Sequence, residues 1–142
     1  DGTIPRLLLT PAKKNDVIVV GRAISSNTAE ITREILGRVM TEGTGRRAKS
    51  DLYDLFGKSG TAQLPREDGK GYFEDRYISS FIAGAPLDAP KLIVLCVIDD
   101  PERSIDHYGG VVAGPVVRDV LEESLQYLGV SPTPEYFTDA SE

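Results

Sequence analysis

One seven-residue segment, Gly57 to Gln63, combines residue types that suit a binding site for a carboxylate and an acyl group. Side chains of a strand alternate between its two faces, so Ser59 and Thr61 point the same way and can offer two hydroxyl groups to one carboxylate. Lys58 adds a positive charge beside them. Gly60 has no side chain, which lets a ligand backbone approach the strand and pair with it. The segment therefore predicts a site where a substrate lies along the strand edge.

The same segment holds a group that acyl transfer requires. A backbone N–H near Thr61 is well placed to form one arm of an oxyanion hole, which stabilises the charge that develops on an attacked carbonyl oxygen. Losing one such donor costs roughly 3 to 4 kcal/mol of transition-state stabilisation. We therefore expect this strand both to bind the substrate and to assist its reaction.

Two other interpretations of these residues have to be weighed. On the tetrapeptide Lys-Ser-Gly-Thr alone, a solvated lysine on an edge strand is the better interpretation. Gly57, Lys58 and Ser59 also match the end of a phosphate-binding P-loop, whose lysine opens a helix and whose first glycine would fall at position 52. That position is Leu52, and the residues after Ser59 favour an extended chain, so we reject the nucleotide-binding interpretation.

Composition limits the class of protein. The chain has 142 residues, of which 40% are hydrophobic and 27% are charged, as in an ordinary globular domain. No segment approaches the roughly 20 apolar residues of a membrane span. The 16 Lys and Arg residues against 22 Asp and Glu residues give a net charge of -6, so we expect no nucleic-acid partner. Because the chain begins with Asp1 and shows no signal-like segment, we interpret it as a piece of a longer protein.

Several other residues of chemical interest have simple structural explanations. Cys96 lies in an apolar run, which predicts a small buried side chain and not a reactive thiol. His107 is the single histidine, and we expect it at the start of a helix or at the surface, since no GxSxG segment accompanies it. Asp99 and Asp100 lack further ligands for a metal ion. Three aromatic residues could line a cleft or pack a hairpin, and we favour packing: Tyr72, Phe73 and Tyr77.

Apolar runs and turn residues predict the strands of an antiparallel sheet. Strands are expected over residues 7–10 and 17–24 (two strands or one broken strand), 53–63, 77–83 and 91–98. The last of these is an uninterrupted apolar run, so we expect a central strand that is covered on both faces. The short connection before it predicts a hairpin with the preceding strand.

Helical spacing predicts two flanking helices. The first is expected over residues 28–40, with Asn27 as its N-cap. The second begins near Pro115 and ends at Gly129. Its buried stripe is expected to contain Val117, Val120, Leu121, Leu125 and Leu128. The order of elements therefore predicts an α+β fold.

Several segments, taken in order, resemble one protein family. They are TAEITREILGRVMTEGTGRRA, GKSGTAQ, RYISSFIAGAP, LIVLCVIDDP and YGGVVAGPVVRDVLEESLQYLG. Together they resemble the C-terminal portion of the transpeptidase domain of class B penicillin-binding proteins, of the cell-division or elongation type. The resemblance implies a partial serine β-lactamase/transpeptidase-like fold over residues 1–130, followed by a polar C-terminal tail over 131–142.

The resemblance also implies roles for the residues of the first motif. Lys58, Ser59 and Gly60 match the family's Lys-Ser/Thr-Gly signature, and Thr61 matches the residue after it. All four are then expected to bind a stem peptide ending in D-Ala-D-Ala, with Lys58 and Thr61 also taking part in catalysis. The family implies inhibition by β-lactams, no metal or organic cofactor, and a location on the extracytoplasmic face of the membrane, held there by an N-terminal anchor.

The chain departs from the family pattern in a way that limits what it can do alone. The catalytic serine of the family lies in an S-x-x-K motif, and none occurs in these 142 residues. Ser25, Ser26 and Asn27 match the family's S-x-N motif only in letters, because they precede a predicted helix. We expect the isolated chain to be inactive, and the rest of the domain or another chain to cover its sheet. A non-catalytic scaffold or sensor for cell-wall peptides, or a β-lactamase-like hydrolase, remains an alternative.

Overall fold

A computed structural model describes residues 1–9, 17–102, 104 and 106–133. The chain divides into two compact units, Asp1–Glu34 and Ile35–Glu142, and each is described by itself. Among the described residues, none of the helices has the length and apolar character needed to cross a membrane.

The first unit contains a two-stranded antiparallel ribbon. Strand β1 covers Thr3–Pro5 and strand β2 covers Val19–Arg22. The prediction for the first apolar run is wrong, since residues 7–9 lie outside any strand, while residue 10 falls outside the described part of the chain. Apolar content alone does not make a strand, because a strand also needs a neighbour to pair with its backbone groups. The second predicted run shortens to β2 for the same reason.

Helix α1 covers Ser26–Thr41 and begins two residues earlier than predicted. The Ser25 hydroxyl accepts a hydrogen bond from the Thr28 backbone N–H at 3.0 Å and lies 2.7 Å from the Thr28 hydroxyl. Ser25 is therefore the N-cap, and the prediction of Asn27 is wrong, because the side chain that reaches the free N–H groups of the first turn is that of Ser25.

Three antiparallel strands form the sheet of the second unit, in the order β3–β4–β5. Strand β3 covers Phe56–Pro65, β4 covers Tyr72–Ala85 and β5 covers Leu92–Asp99. The predicted hairpin between the last two strands is confirmed by their pairing. The predicted central position of the last strand is wrong, since β4 is central and β5 lies at an edge of the described sheet.

The two faces of this sheet differ in what covers them. The inner face carries the fully buried Phe81 and the half-buried Cys96, which lie opposite one another on β4 and β5. The outer face leaves four large apolar side chains exposed, by 43 to 67%: Ile82, Ile93, Leu95 and Val97. The apolar run of β5 is therefore covered on one side only within the described chain, which corrects the expectation of two covered faces.

Helix α3 covers Gly114–Tyr127 and packs on the inner face. Val117, Leu121 and Leu125 are fully buried, as predicted, while Val120 and Leu128 are about half exposed, against the prediction. Burying one such side chain contributes roughly 1.5 to 3 kcal/mol. The helix ends as predicted at a glycine, residue 129, whose φ of +69° lets the next N–H return to the carbonyl of Leu125 at 3.0 Å.

Two short elements and the chain end complete the second unit. A 3₁₀ turn, Arg46–Ala48, follows α1, and the four-residue helix α2, Gly109–Val112, precedes α3. Of the predicted polar tail, Thr133 is held in place: its backbone N–H donates to the Leu52 carbonyl at 2.9 Å, and its hydroxyl accepts from the Asp54 N–H at 3.1 Å. Residues 134–142 of that tail lie outside the described part.

Candidate functional site

Strand β3 presents its polar side chains on both faces of the sheet. Ser59 lies opposite the buried Phe81, so Ser59 and Thr61 project on the inner face. Lys58 lies opposite Ile82 and starts on the outer face. The prediction that the segment is extended, with both hydroxyls on one side, is confirmed. Within the described sheet β3 is an edge strand, so one side of its backbone has no neighbouring strand.

A groove of about 320 Å³ opens beside the two hydroxyl groups. Three segments meet there: the loop after α1, strand β3 and the start of α2. Its lining residues are Thr44, Ser59, Thr61, Tyr108, Gly110 and Val111. The groove joins segments that are up to 67 positions apart in the chain, from position 44 to position 111, so it exists only in the folded protein.

Hydrogen bonds link the polar groups along this groove. The Thr44 and Ser59 hydroxyl oxygens lie 2.8 Å apart, and the Thr61 hydroxyl accepts from the Gly109 backbone N–H at 3.2 Å. The Lys58 ammonium group donates to the Ser59 carbonyl at 2.9 Å and lies 3.4 Å from the Ser59 hydroxyl. The lysine thus brings its charge back toward the hydroxyls although its stem starts on the other face. One cation and three hydroxyl groups are gathered in a form that suits a carboxylate.

Two consecutive glycines allow α2 to lie tight against this strand. A Cβ on Gly109 would sit 2.0 Å from the Ser80 carbonyl oxygen and 2.5 Å from that of Gly60. A Cβ on Gly110 would sit 2.1 Å from the Thr44 carbonyl oxygen. Any side chain at either position would force the segments that form the groove apart.

A short turn holds the residues before α2. The Asp106 carboxylate accepts from the backbone N–H groups of His107 at 2.6 Å and Tyr108 at 3.0 Å. These bonds, the one from Tyr108 first, favour the charged form and hold the pKa of Asp106 below its ordinary value against the opposing effect of desolvation. The Ser79 hydroxyl on β4 donates to the His107 carbonyl, which ties the turn to the sheet.

Aromatic residues lie beside the groove in an arrangement that sequence reasoning did not predict. The His107 ring stacks on the Tyr77 ring with centroids 4.2 Å apart and lies 4.4 Å from the Tyr108 ring. Phe73 instead lies under the Arg76 guanidinium at 4.9 Å, and Tyr72 is largely exposed. Of the three aromatics expected to pack the hairpin, Tyr77 contacts the turn before α2.

Sequence reasoning about the site missed Thr44, Tyr108 and the paired glycines as groove residues. The signal was present, because a threonine between two glycines and an aromatic residue before two glycines are patterns of close backbone approach. Of the acidic pair at the end of β5, Asp100 has a structural role, since it forms an ion pair with Arg76 at 2.9 Å. The residues that resembled an S-x-N motif cap and begin α1, away from strand β3 in the chain.

Comparison with known proteins identifies the family of this chain. Residues 3–122 match the family described as penicillin binding protein transpeptidase domain, and the chain belongs to that family. It is 43% identical over 120 residues to the stage V sporulation protein D of Bacillus subtilis and 41% identical over 113 residues to a probable peptidoglycan D,D-transpeptidase, PenA, of Neisseria flavescens. These alignments cover 84% and 79% of this chain but only 18% and 28% of the relatives.

Solved structures show the same fold. The transpeptidase domain of penicillin-binding protein 3 from Burkholderia pseudomallei superposes with a TM-score of 0.82 at 31% identity, over 93% of this chain and 39% of that one. Penicillin-binding protein 3 of Mycobacterium tuberculosis, solved in complex with ampicillin, gives a TM-score of 0.68 at 25% identity, over 85% of this chain and 30% of that one. The α+β fold predicted from the sequence is therefore confirmed as part of a transpeptidase domain.

Proposed function

We propose that this chain is the carboxylate-binding part of a peptidoglycan D,D-transpeptidase. In the parent protein a serine outside these residues attacks the carbonyl of a stem peptide that ends in D-Ala-D-Ala, and the terminal D-Ala leaves as the amine. The acyl group then passes from the serine to an amine of a neighbouring strand. The observation that carries this proposal is a groove beside an edge strand that is lined by three hydroxyl groups, with the Lys58 ammonium group 3.4 Å from one of them, in a chain that belongs to the transpeptidase family.

Each residue of the motif has a role in this reaction. Ser59 and Thr61 donate their hydroxyl protons to the terminal carboxylate, and Lys58 supplies the opposite charge. Gly60 leaves room for the substrate backbone to run beside β3 as an added strand. The Thr61 backbone N–H stabilises the oxyanion of the tetrahedral intermediate. Thr44 keeps the Ser59 hydroxyl in place through the 2.8 Å contact between them.

The same site explains why β-lactams would inhibit the parent. A β-lactam presents a carboxylate and a strained amide in the positions of the stem-peptide terminus, and its acyl-enzyme persists. The reaction requires no metal ion or organic cofactor, because the serine and the hydrogen-bond donors supply the chemistry. We also propose that the parent acts on the extracytoplasmic face of the bacterial membrane, where peptidoglycan is cross-linked, and that an N-terminal anchor holds it there.

The missing nucleophile must come with a further part of the domain. The exposed apolar side chains of the outer face support this view, because a contiguous apolar patch marks a surface that another segment covers. We propose that the rest of the transpeptidase domain, or a second chain that stands in for it, covers this face, and that the same further part supplies the serine at the groove beside the inner-face hydroxyls.

Labelling with a fluorescent penicillin tests the proposal. The parent should form a covalent adduct that survives a denaturing gel, whereas the 142-residue chain alone should not. In the parent, Lys58→Met should lower the rate constant of acylation about 10- to 100-fold, the effect of losing a charged hydrogen-bonding partner. Lys70→Met removes the same charge from the exposed β3–β4 turn and should leave the rate unchanged.

Three outcomes of this experiment would contradict parts of the proposal. A parent that is never labelled would overturn the enzyme assignment and favour a non-catalytic sensor of cell-wall peptides. Stable labelling of the isolated chain would show that the nucleophile lies within it. Equal acylation rate constants for the two lysine variants would show that Lys58 does not contribute to the binding site.

A further inference from the structure

The only histidine of the chain stands between two tyrosine rings at the edge of the groove. On one side, the Tyr77 ring of β4 is nearly parallel to the imidazole, with an interplanar angle of 17°. On the other, the Tyr108 ring is tilted by 34°. Tyr108 lines the groove and is 60% exposed, and its ring contacts the imidazole on that side.

The main chain of His107 is held independently of its ring. Its N–H donates to the Asp106 carboxylate and its carbonyl accepts from the Ser79 hydroxyl. We therefore expect a substitution of the His107 side chain to keep these two hydrogen bonds of the turn and to change the contact between the ring at position 107 and the two tyrosine rings.

Titratable groups from three elements surround this ring. Tyr77 comes from β4, Asp106 and Tyr108 come from the turn before α2, and Arg47 of the 3₁₀ turn acts on the Asp106 carboxylate. The Asp106 carboxylate interacts electrostatically with His107, and the aromatic faces on both sides attract a cation. Histidine is the side chain whose charge ordinarily changes between pH 5 and 8.

We propose that His107 is a positioning residue whose protonation fixes the Tyr108 wall of the groove, so that the site is better ordered in mildly acidic conditions than in mildly alkaline ones. The imidazolium interacts with both tyrosine faces, which holds Tyr108 against the stack and keeps the groove in one shape. The neutral ring keeps only the weaker stacking contact, and the exposed Tyr108 ring then samples more positions. An ordered wall places the ligand for attack more often. This inference rests on the proposed function for its effect on acylation.

The test compares pH profiles of acylation in the parent protein. The second-order rate constant for a fluorescent penicillin is measured from pH 5.5 to pH 8 for the native protein and for His107→Phe, which keeps an aromatic ring but carries no charge. The ratio of the native rate constant to that of the variant should rise by about two- to fivefold toward the acid end, the range that a cation–π contact at an exposed site supports. A ratio that stays constant across the range would overturn the proposal.

A second measurement separates this proposal from the assignment of function. In an NMR titration of the 142-residue chain, the ring resonances of Tyr77 and Tyr108 should shift with the same midpoint as the imidazole of His107. Tyr127, which is 91% exposed on α3, is the control and should not follow it. If the ring resonances of Tyr77 and Tyr108 do not follow the imidazole resonances of His107, the proposed role of His107 is refuted, even if the parent is acylated. Absence of acylation at every pH, with coupled shifts, would instead refute the proposed function alone.

Discussion

The two faces of the β3–β4–β5 sheet are made by the same three strands and have different surroundings. The inner face packs against α3 and carries the two hydroxyls of the site, Ser59 and Thr61. The outer face leaves Ile82 and its apolar neighbours exposed and carries the stem of Lys58. The difference shows that the described residues build a core on one side of the sheet only. The site lies at the strand that borders both surfaces.

The largest expected difference between the two faces is in the loss of stability when a large side chain is truncated. Phe81→Ala on the inner face should lower the free energy of unfolding of the chain by about 3 to 5 kcal/mol, because it opens a cavity in a fully buried position. Leu95→Ala on the outer face, at 59% exposure, should change it by no more than about 0.5 kcal/mol. Urea denaturation measures both. Similar losses for the two variants would mean that the outer face is covered in the isolated chain.

The fit of α2 on the inner face is tested by its first glycine. Gly109→Ala should cost about 1 to 3 kcal/mol of stability, because the added methyl group meets two carbonyl oxygens and the strand must move. Gly21→Ala is the matched control, since its Cβ would meet nothing closer than the Ile4 side chain at 3.9 Å, and it should stay within about 0.5 kcal/mol. Thermal unfolding would measure both, and an unchanged melting temperature for Gly109→Ala would contradict the tight contact.

The hydroxyl groups of the inner face should matter for reaction more than for stability. Thr61→Val keeps the shape of the side chain and removes the donor that meets the ligand carboxylate, so acylation of the parent by penicillin should slow about 10- to 100-fold. Ser124→Ala removes a hydroxyl from α3 and should leave acylation unchanged. If both variants react at the native rate, the inner face does not contribute to binding of the carboxylate.

The smallest expected effect concerns Asp106, in the turn before α2. Because hydrogen bonds lower the pKa of Asp106 in the folded chain below its ordinary value of 3.8, the folded state favours the carboxylate. The stabilisation is then complete above that ordinary value and is lost as the pH falls through the lowered pKa. Asp106→Asn should remove this part of the acid sensitivity. Melting temperatures of the two proteins, compared from pH 2.5 to pH 6, should therefore differ less at the acid end.

Local patterns predicted those parts of the fold that depend on local physics. Alternation along β3 correctly placed Ser59 and Thr61 on the same face, and proline and glycine signals correctly bounded α3. One error was local: the N-cap of α1 is Ser25 and not Asn27, since two nearby residues can both cap and only the folded backbone selects one of them. Another error, the position of β5 in the described sheet, depends on the pairing of segments that are distant in the chain.

The site also contains some residues that local sequence patterns predicted and others that only the folded chain brought together. The residue types from Lys58 to Thr61 suggested a carboxylate site, because a carboxylate needs a cation and hydroxyl donors, but only the resemblance of several segments to one family made this the preferred interpretation. Thr44 and Tyr108 could not be assigned to the same groove, since their contacts with β3 depend on how the loop after α1 and the start of α2 pack on the sheet.

The sequence by itself predicted an α+β domain with Ser59 and Thr61 on one face of an extended segment and a C-terminal amphipathic helix, because period-2 and period-3.6 patterns are properties of neighbouring residues. Only the tertiary structure decided that β5 lies at an edge of the sheet and that one sheet face stays exposed, among the residues that the structure describes. The length of an apolar run indicates how much apolar surface a strand can bury. Whether a partner is present to bury it depends on chain that lies far away in sequence.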